Sequence, residues 1–251
     1  MSTYFISDIH LGARYITDHR AHEQRVVSFL QDIAADCTRL VLLGDILDYW
    51  WEYTKVIPRG YTRFFGQLAR MADSGVEIIW FKGNHDIWIF DYLPNEIGFT
   101  LHDGVMITQW DGRRFLLEHG DGVGKLPLTF RMLRSLFRCR IAQRLYSLLP
   151  PRLTIGFAHA WSSHSRKTGG QMKASADPEK NTLVSWAREY NSEHPDAPVD
   201  FFIFGHQHIV IDQKISDHSR VIVLGDWIDK FTYGVWDGES FYIKKYNKIV
   251  D

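Results

Sequence analysis

The sequence predicts a mixed α/β fold with a helical insertion, and three observations carry that prediction. The first half of the chain alternates apolar strand-like runs with helical stretches. After Gly98 the apolar runs shorten and are separated by turn residues, and from Asp200 onward short strands return. Between these two parts, Lys125 to about Asn191 reads as helical and interrupts the strand series.

Taken in order, strand Tyr4–Ile6 leads to a helix around His22–Ala35, and strand Leu40–Leu43 to a helix around Tyr61–Asp73. Strand Val76–Phe81 leads to a short helix near Ile87–Leu93. Strands buried on both faces read as continuous apolar runs, which suits a mainly parallel sheet. Val105–Thr108 and Arg114–Glu118 flank Asp111-Gly112, a hairpin signal because such turns need positive φ. The tail holds Phe201–Phe204 and further strands punctuated by Gly205, Gly225-Asp226, Gly234 and Asp237-Gly238. No repeat or low-complexity linker divides the 251 residues. One domain over 1–251, with 125–191 as a helical insert or lid, is the simplest organisation.

A hydrophobic content of 45% supports a sizeable core. The net charge of −1 conceals an asymmetry. Between Asp121 and Asp177 there is no acidic residue, whereas Lys125, Arg131, Arg134, Arg138, Arg140, Arg144, Arg152, Arg166, Lys167 and Lys173 fall in that stretch. The remainder is therefore strongly acidic. Cys37 and Cys139 form no framework or C-x-x-C and are expected to be reduced thiols in the cytosol. Met1 runs almost directly into the first strand, so no secretory signal is expected, and no apolar run approaches the roughly 18 residues of a spanning helix. Contact with a membrane, if made, is expected from its surface.

Five apolar runs end in islands of metal-ligand residues: Asp8-Ile9-His10, Gly44-Asp45, Gly83-Asn84-His85-Asp86, His119-Gly120-Asp121 and Gly205-His206-Gln207-His208. Carboxylate, imidazole and amide oxygen are groups that hold divalent cations. Gly-Asp and Gly-Asn are also ordinary turn chemistry, but turns do not call for His at 10, 119, 206 and 208. Five strand ends delivering such groups to one sheet edge predict a two-metal site. In such a site two cations activate a water and clamp a phosphate, and a carboxylate such as Asp45 bridges them. Asp8 and His10 lie two apart on an extended end, which points both side chains to one face; His206 and His208 repeat that spacing. Oxygen and nitrogen ligands without thiolate favour Mn²⁺, Fe²⁺ or Zn²⁺.

This series resembles the calcineurin-like metallophosphoesterase family, over residues 4 to about 230. The resemblance implies a β-sandwich of mixed sheets flanked by helices, with a helical lid. It implies that Asp8, His10, Asp45 and His208 hold one ion and that Asp45, Asn84, His119 and His206 hold the other, with Mn²⁺ the expected metal and Fe²⁺ or Zn²⁺ the alternatives. His85 is then expected near the substrate phosphate as a proton donor, with Asp86 orienting it. Within the family the chain is similar to the branch that cleaves the pyrophosphate of a nucleotide-linked glycolipid, UDP-2,3-diacylglucosamine, in lipid A biosynthesis. The size, the His119-Gly120-Asp121 island, the insert and Leu224-Gly225-Asp226-Trp227 carry that similarity. The branch's best-known members place Arg after the Asn of the third island, where this chain has His85. An acidic residue they carry shortly after Gly120-Asp121 also has no counterpart in Gly124-Lys125-Leu126.

On one helix over Phe130–Leu149, Phe130, Leu133, Phe137, Ile141, Leu145 and Leu148 form a stripe. Arg131, Arg134 and Arg138 border it on one side and Arg140 and Arg144 on the other, while Met132, Leu136, Cys139 and Tyr146 are expected to pack on the body. Arginines beside an apolar stripe suit phosphates and acyl chains, and also an anionic membrane surface. The substrate-binding set expected from this reading is Asn84, His85, Arg131, Arg134, Phe137, Arg138, Ile141, Ser163, Arg166 and Lys167. A core helix with solvated arginines is the competing reading. Nucleic acid is not expected, because the insert lacks interleaved basic and aromatic residues. His159 and His164 either reach a pyrophosphate or lie on the surface, Trp50-Trp51 either edge the cleft or fill the core, and Asp48 either backs a ligand or caps a turn.

The function expected is a dinuclear pyrophosphohydrolase, peripheral on the cytoplasmic face of the inner membrane. It would release UMP and 2,3-diacylglucosamine 1-phosphate. The alternatives are a soluble phosphodiesterase or phosphatase of nucleotides or nucleic-acid ends, and a metal-retaining scaffold protein.

Overall fold

The computed structural model describes residues 2–53, 55–124, 126–150 and 174–248. Two mixed sheets pack face to face with helices on both outer surfaces. The first has the order β11-β10-β1-β2-β3-β4, from Phe241–Lys245, Thr232–Trp236, Ser2–Ile6, Cys37–Leu42, Glu77–Phe81 and Thr100–His102. The second has the order β5-β6-β7-β9-β8, from Met106–Trp110, Arg113–Leu117, Phe201–Phe204, Arg220–Leu224 and Val210–Lys214. β1, β2, β3 and β4 run parallel, as do β6, β7 and β9.

The alternation of side chains along each strand builds three apolar layers. Phe5, Val41, Leu43, Ile79 and Phe81 meet Phe115, Leu117, Phe201, Ile203, Ile222 and Leu224 between the sheets. The intervening Tyr4, Ile6, Leu40, Leu42, Ile78 and Trp80 face α1 (His19–Ile33) and α2 (Thr62–Asp73). On the far side Phe202, Phe204, Val221 and Val223 pack under Leu183, Val184 and Ala187 of α6 (Thr182–Glu193). Each such aromatic or aliphatic side chain removed from water contributes about 1.5–3 kcal/mol.

Most expected elements lie within a few residues of those observed, but three differ. The short helix near Ile87–Leu93 is displaced to α3, Tyr92–Ile97. The Glu52 carboxylate sets its start by accepting from the N–H groups of Phe90, Asp91, Tyr92 and Leu93. The helix expected over Phe130–Leu149 is two helices, α4 (Leu128–Arg138) and α5 (Arg140–Ser147), with Cys139 extended between them (φ −71°, ψ 118°). Finally, α6 is a layer of the sandwich rather than lid, which leaves α4 and α5 as the insert helices that stand apart from the sheets among the described residues.

Candidate metal centre

The islands assemble at the carboxyl ends of β1, β2, β3, β6 and β7, where parallel strands deliver their loops to one edge. The backbone achieves this differently from the extended geometry read from the sequence. Asp8, His10, Asp45, His206 and His208 all adopt left-handed φ, between 52° and 65°. Side chains two apart converge because each sits in a tight, sparsely populated turn, not because the strand continues. Small neighbours make room for these turns. A Cβ on Gly44 would lie 2.6 Å from His119 Nδ1, and one on Gly205 would overlap Ser7 Oγ at 1.9 Å.

Three groups of ligand side chains result among the described residues: one is His10, Asp48 and His85, and the other two contain the predicted ligands. Asp8, His10 and His208 present one ligand atom each within 4.8 Å of one another, and Asp45, His119 and His206 do the same. Asp45 joins them: its Oδ2 lies 3.7 Å from His10 Nε2 and 3.4 Å from His119 Nε2. Asn84 Oδ1 lies 3.3 Å from His119 Nε2 on the second side. All seven predicted ligands therefore meet in one place.

Hydrogen bonds behind these groups aim them. His10 Nδ1 faces Asp48 Oδ1 at 3.2 Å and His119 Nδ1 donates to the Leu43 carbonyl at 2.8 Å, which leaves both Nε2 atoms as donors to a cation. Asp8 Oδ2 accepts from Ser7 Oγ and from His206 N–H at 2.8 Å, while Asp45 Oδ1 accepts from His85 N–H at 2.8 Å. The remaining oxygens, Asp8 Oδ1 and Asp45 Oδ2, are buried without a hydrogen-bond partner, as is His206 Nδ1. Buried polar atoms without partners are costly. That these orphans converge on the same space is what a divalent-cation site requires, so the residues fit two ions.

Charge follows the same design. Burial pushes the Asp45 carboxyl up, but the His119 and His85 imidazoles outweigh it and hold the group well below the ordinary carboxylate range. Asp8 likewise falls to about 2, because His208 and His10 offset its burial. Burial and the neighbouring His119 push His206 down to about 4, and burial lowers His208. Anionic carboxylates and neutral imidazoles bind metal. His119 goes the other way: burial lowers it, but Asp45 outweighs that burial and raises it well above the ordinary imidazole range, so this ring gives up a proton when it takes an ion.

The orienting contact expected from Asp86 is made by Asp48. His85 Nδ1 lies 3.0 Å from the Asp48 carbonyl and 3.5 Å from its carboxylate, with its ring edge-on to His10 at 4.8 Å. Asp86 is fully buried and instead ties loops together, accepting from the N–H groups of Gly83, Asp45 and Ile46 and from Trp80 Nε1. Trp50 and Trp51 fill the core.

Because Cys139 breaks the insert helix, the apolar stripe changes sides. In α4, Phe137 turns inward, edge-on to Trp88 at 5.6 Å, while Met132 and Leu136, expected to pack, are exposed. In α5, Ile141, Leu145 and Leu148 are exposed and Tyr146 turns inward, 4.4 Å from Trp51 and stacked on Trp88 at 5.8 Å. The acidic partners absent from the insert's own sequence come from the body. Arg134 Nε donates to Asp121 Oδ2 at 2.9 Å, and Arg138 pairs with Asp103 at 3.4 Å and Asp121 at 3.9 Å. Arg131 is exposed. Ser163, Arg166, Lys167, His159 and His164 lie outside the described residues.

A family profile described as calcineurin-like phosphoesterase matches residues 1–210. The chain is 38% identical over 253 residues to a UDP-2,3-diacylglucosamine hydrolase of Porphyromonas gingivalis, covering 96% of each chain. It is 28% identical to the enzyme of that name from Neisseria gonorrhoeae, covering 90% of this chain and 89% of the relative. Among solved structures, Yfce, a phosphoesterase from E. coli, aligns with a TM-score of 0.45 and 15% identity over 96% of this chain and 91% of that one. The extent of the profile match and the identity over almost the whole chain place this protein in the calcineurin-like phosphoesterase family.

Proposed function

We propose that this chain uses two divalent cations, with Mn²⁺ as the native ion, to hydrolyse the pyrophosphate of UDP-2,3-diacylglucosamine to UMP and 2,3-diacylglucosamine 1-phosphate. The observation that carries the dinuclear part is Asp45, whose buried Oδ2 makes no hydrogen bond and stands between the His10 and His119 imidazoles. The substrate rests on the names of relatives that match this chain over nearly its full length. Asp8, His10, Asp45 and His208 would hold one ion, and Asp45, Asn84, His119 and His206 the other. Bound there, the ions supply an acidified water and neutralise charge on the phosphate oxygens.

The protein's own part is positioning and proton control. With Nδ1 turned to the Asp48 carbonyl, His85 keeps Nε2 for a phosphoryl or leaving oxygen, as proton donor or charge stabiliser. Arg134 and Arg138 hold α4 through Asp121 and Asp103, which leaves Arg131, of the three arginines expected at the substrate on α4, for a headgroup. Phe137 and Ile141, expected together in one acyl-binding stripe, lie on opposite sides of the insert, Phe137 inward and Ile141 outward.

We also propose that α4 and α5 rest on the anionic cytoplasmic face of the inner membrane as part of a single domain. Leu128, Met132, Leu136, Ile141, Leu145 and Leu148 are exposed there, beside Arg131, Arg140 and Arg144. Among the described residues no helix is long and apolar enough to cross a membrane. The deciding experiment is a substrate panel: UDP-2,3-diacylglucosamine, a UDP-sugar without acyl chains and a chromogenic phosphodiester. Preference for the diacylated substrate supports the reading; equal or better turnover of the other two assigns the site to a soluble phosphodiesterase.

A further inference from the structure

Leu224-Gly225-Asp226-Trp227, which begins at the last residue of β9, supplies no ligand, yet it lies directly behind two of them. Trp227 donates its backbone N–H to the Asp8 carbonyl at 3.1 Å. Its side chain is fully buried, 4.7 Å from the Phe29 ring, and Nε1 donates to the Thr232 carbonyl at 2.9 Å. Gly225 takes φ 85°, and a Cβ there would overlap Thr232 Oγ1, whose hydroxyl donates to the Leu224 carbonyl at 2.6 Å. The loop is closed on itself and anchored in the core, which gives Asp226 a fixed place.

Asp226 is buried and gathers donors with both oxygens. Oδ1 accepts from the N–H groups of Ile228, Asp229 and Lys230 at 3.0, 2.8 and 3.2 Å. Oδ2 accepts from Lys230 Nζ at 2.8 Å and faces His208 Nδ1 at 3.9 Å. The other edge of the same imidazole looks into the metal centre. His208 Nε2 lies 3.3 Å from Asp8 Oδ1 and 3.3 Å from His10 Nε2, and the two rings stack at 5.1 Å. An anionic oxygen behind Nδ1 favours the tautomer that carries its proton there, which leaves the Nε2 lone pair for a cation. Backing matters most at this residue. Asp8 and His10 are fully buried beside Ser7 and Asp48, whereas His208 is partly exposed and its ring has more room to turn.

We propose, on the dinuclear reading of the site, that Asp226 is a positioning residue for the cation at Asp8, His10 and His208. Its carboxylate fixes the His208 ring with Nδ1 toward the protein and Nε2 toward the ion, and the same loop steadies Asp8 through the Trp227 N–H.

The test uses the full chain, stripped with chelator and titrated with Mn²⁺ alone, in wild type, Asp226→Asn, Lys230→Gln and His208→Gln. His208→Gln shows which of the two Mn²⁺ equivalents this histidine serves. Asp226→Asn keeps Oδ1 for the three N–H groups and removes the charge that faces His208. Loss of a partner behind a histidine ligand weakens a metal by about 10–100-fold. Asp226→Asn should therefore weaken the His208 equivalent by at least about tenfold and leave the other as in wild type. Lys230→Gln takes one bond from the same carboxylate without removing its charge, so it should bind both ions no more weakly than wild type. A measurement on wild type reports even if Asp226→Asn folds poorly. With Zn²⁺ bound, the His208 Nδ1 proton, assigned by its loss in His208→Gln, should appear in ¹⁵N-histidine spectra and exchange slowly with water. Asp226→Asn that weakens neither equivalent or both, Lys230→Gln that loses the His208 equivalent, or an Nδ1 proton that exchanges freely overturns the positioning role and leaves the dinuclear site standing. A wild type that takes up no Mn²⁺ overturns the site reading and the positioning role together.

Discussion

His85 donates its backbone N–H to Asp45 Oδ1 at 2.8 Å, so one oxygen of this carboxylate is committed to structure. The other, Oδ2, stands 3.7 Å from His10 and 3.4 Å from His119. A carboxylate pinned in this way cannot rotate away from either imidazole, and it can serve both ions from a fixed position.

Asp45→Asn keeps an oxygen for the His85 N–H but removes the charge shared between the two groups. The expected outcome is loss of both ions with the fold retained, read by elemental analysis and circular dichroism. Two ions bound to Asp45→Asn would remove the bridging role.

Asp48→Asn and Asp86→Ala should fail in different ways. Asp48 faces both His10 and His85, so its replacement should lower metal affinity or turnover by about 10–100-fold in a folded protein. Asp86 accepts from four backbone N–H groups and an indole in a fully buried position. Leaving such donors without a partner costs about 1–3 kcal/mol each, so Asp86→Ala should lose about 3 kcal/mol or more of stability. Urea unfolding of the metal-free proteins checks this; a loss below about 1 kcal/mol would mean that Asp86 is not a structural tie.

The change of face at Cys139 separates two substitutions that a continuous helix would have made equivalent. Phe137→Asp puts a charge against Trp88 and should loosen α4 and α5, seen as faster protease cleavage and weaker activity on every substrate. Ile141→Asp lies at 71% exposure and should change stability by no more than about 0.5 kcal/mol, while weakening binding to anionic vesicles in a co-sedimentation assay. Vesicle binding unaffected by Ile141→Asp and Leu145→Asp together would remove this face as the membrane contact.

His22 supplies a pH dependence from behind the first island. Its Nε2 lies 2.8 Å from the Ile9 carbonyl, and burial, reinforced by Arg25, lowers its pKa below the ordinary 6.5. The unfolded chain therefore takes up this proton before the folded chain does. Stability is fully present above pH 6.5 and is lost as pH falls from there toward the folded value. The melting temperature measured from pH 8 to pH 5 should fall less steeply for His22→Asn than for wild type. Identical slopes would show that His22 titrates alike in both states.

The fold class and the gathering of the seven candidate ligand residues were legible because both are written locally. A strand buried on two faces must be continuously apolar, as in Leu40–Leu43, and a cation admits few residue types, so Asp45 or His206 at a strand end announces itself. Local pattern could not say which loop would back which ligand. Asp48 follows the second island by a few residues and Asp86 closes the third, and only the packing of the β2 loop against the β3 loop assigns one to His85 and the other to backbone N–H groups. The placing of Asp226 behind His208 leaves no periodic trace, although Gly225-Asp226 already marks a turn. The helix break at Cys139 is of the same kind. Periodicity within one helix predicts which side chains share a face, but contact with Trp51 and Trp88 decides where the helix bends and which face turns inward, because burying Phe137 and Tyr146 together outweighs one uninterrupted helix.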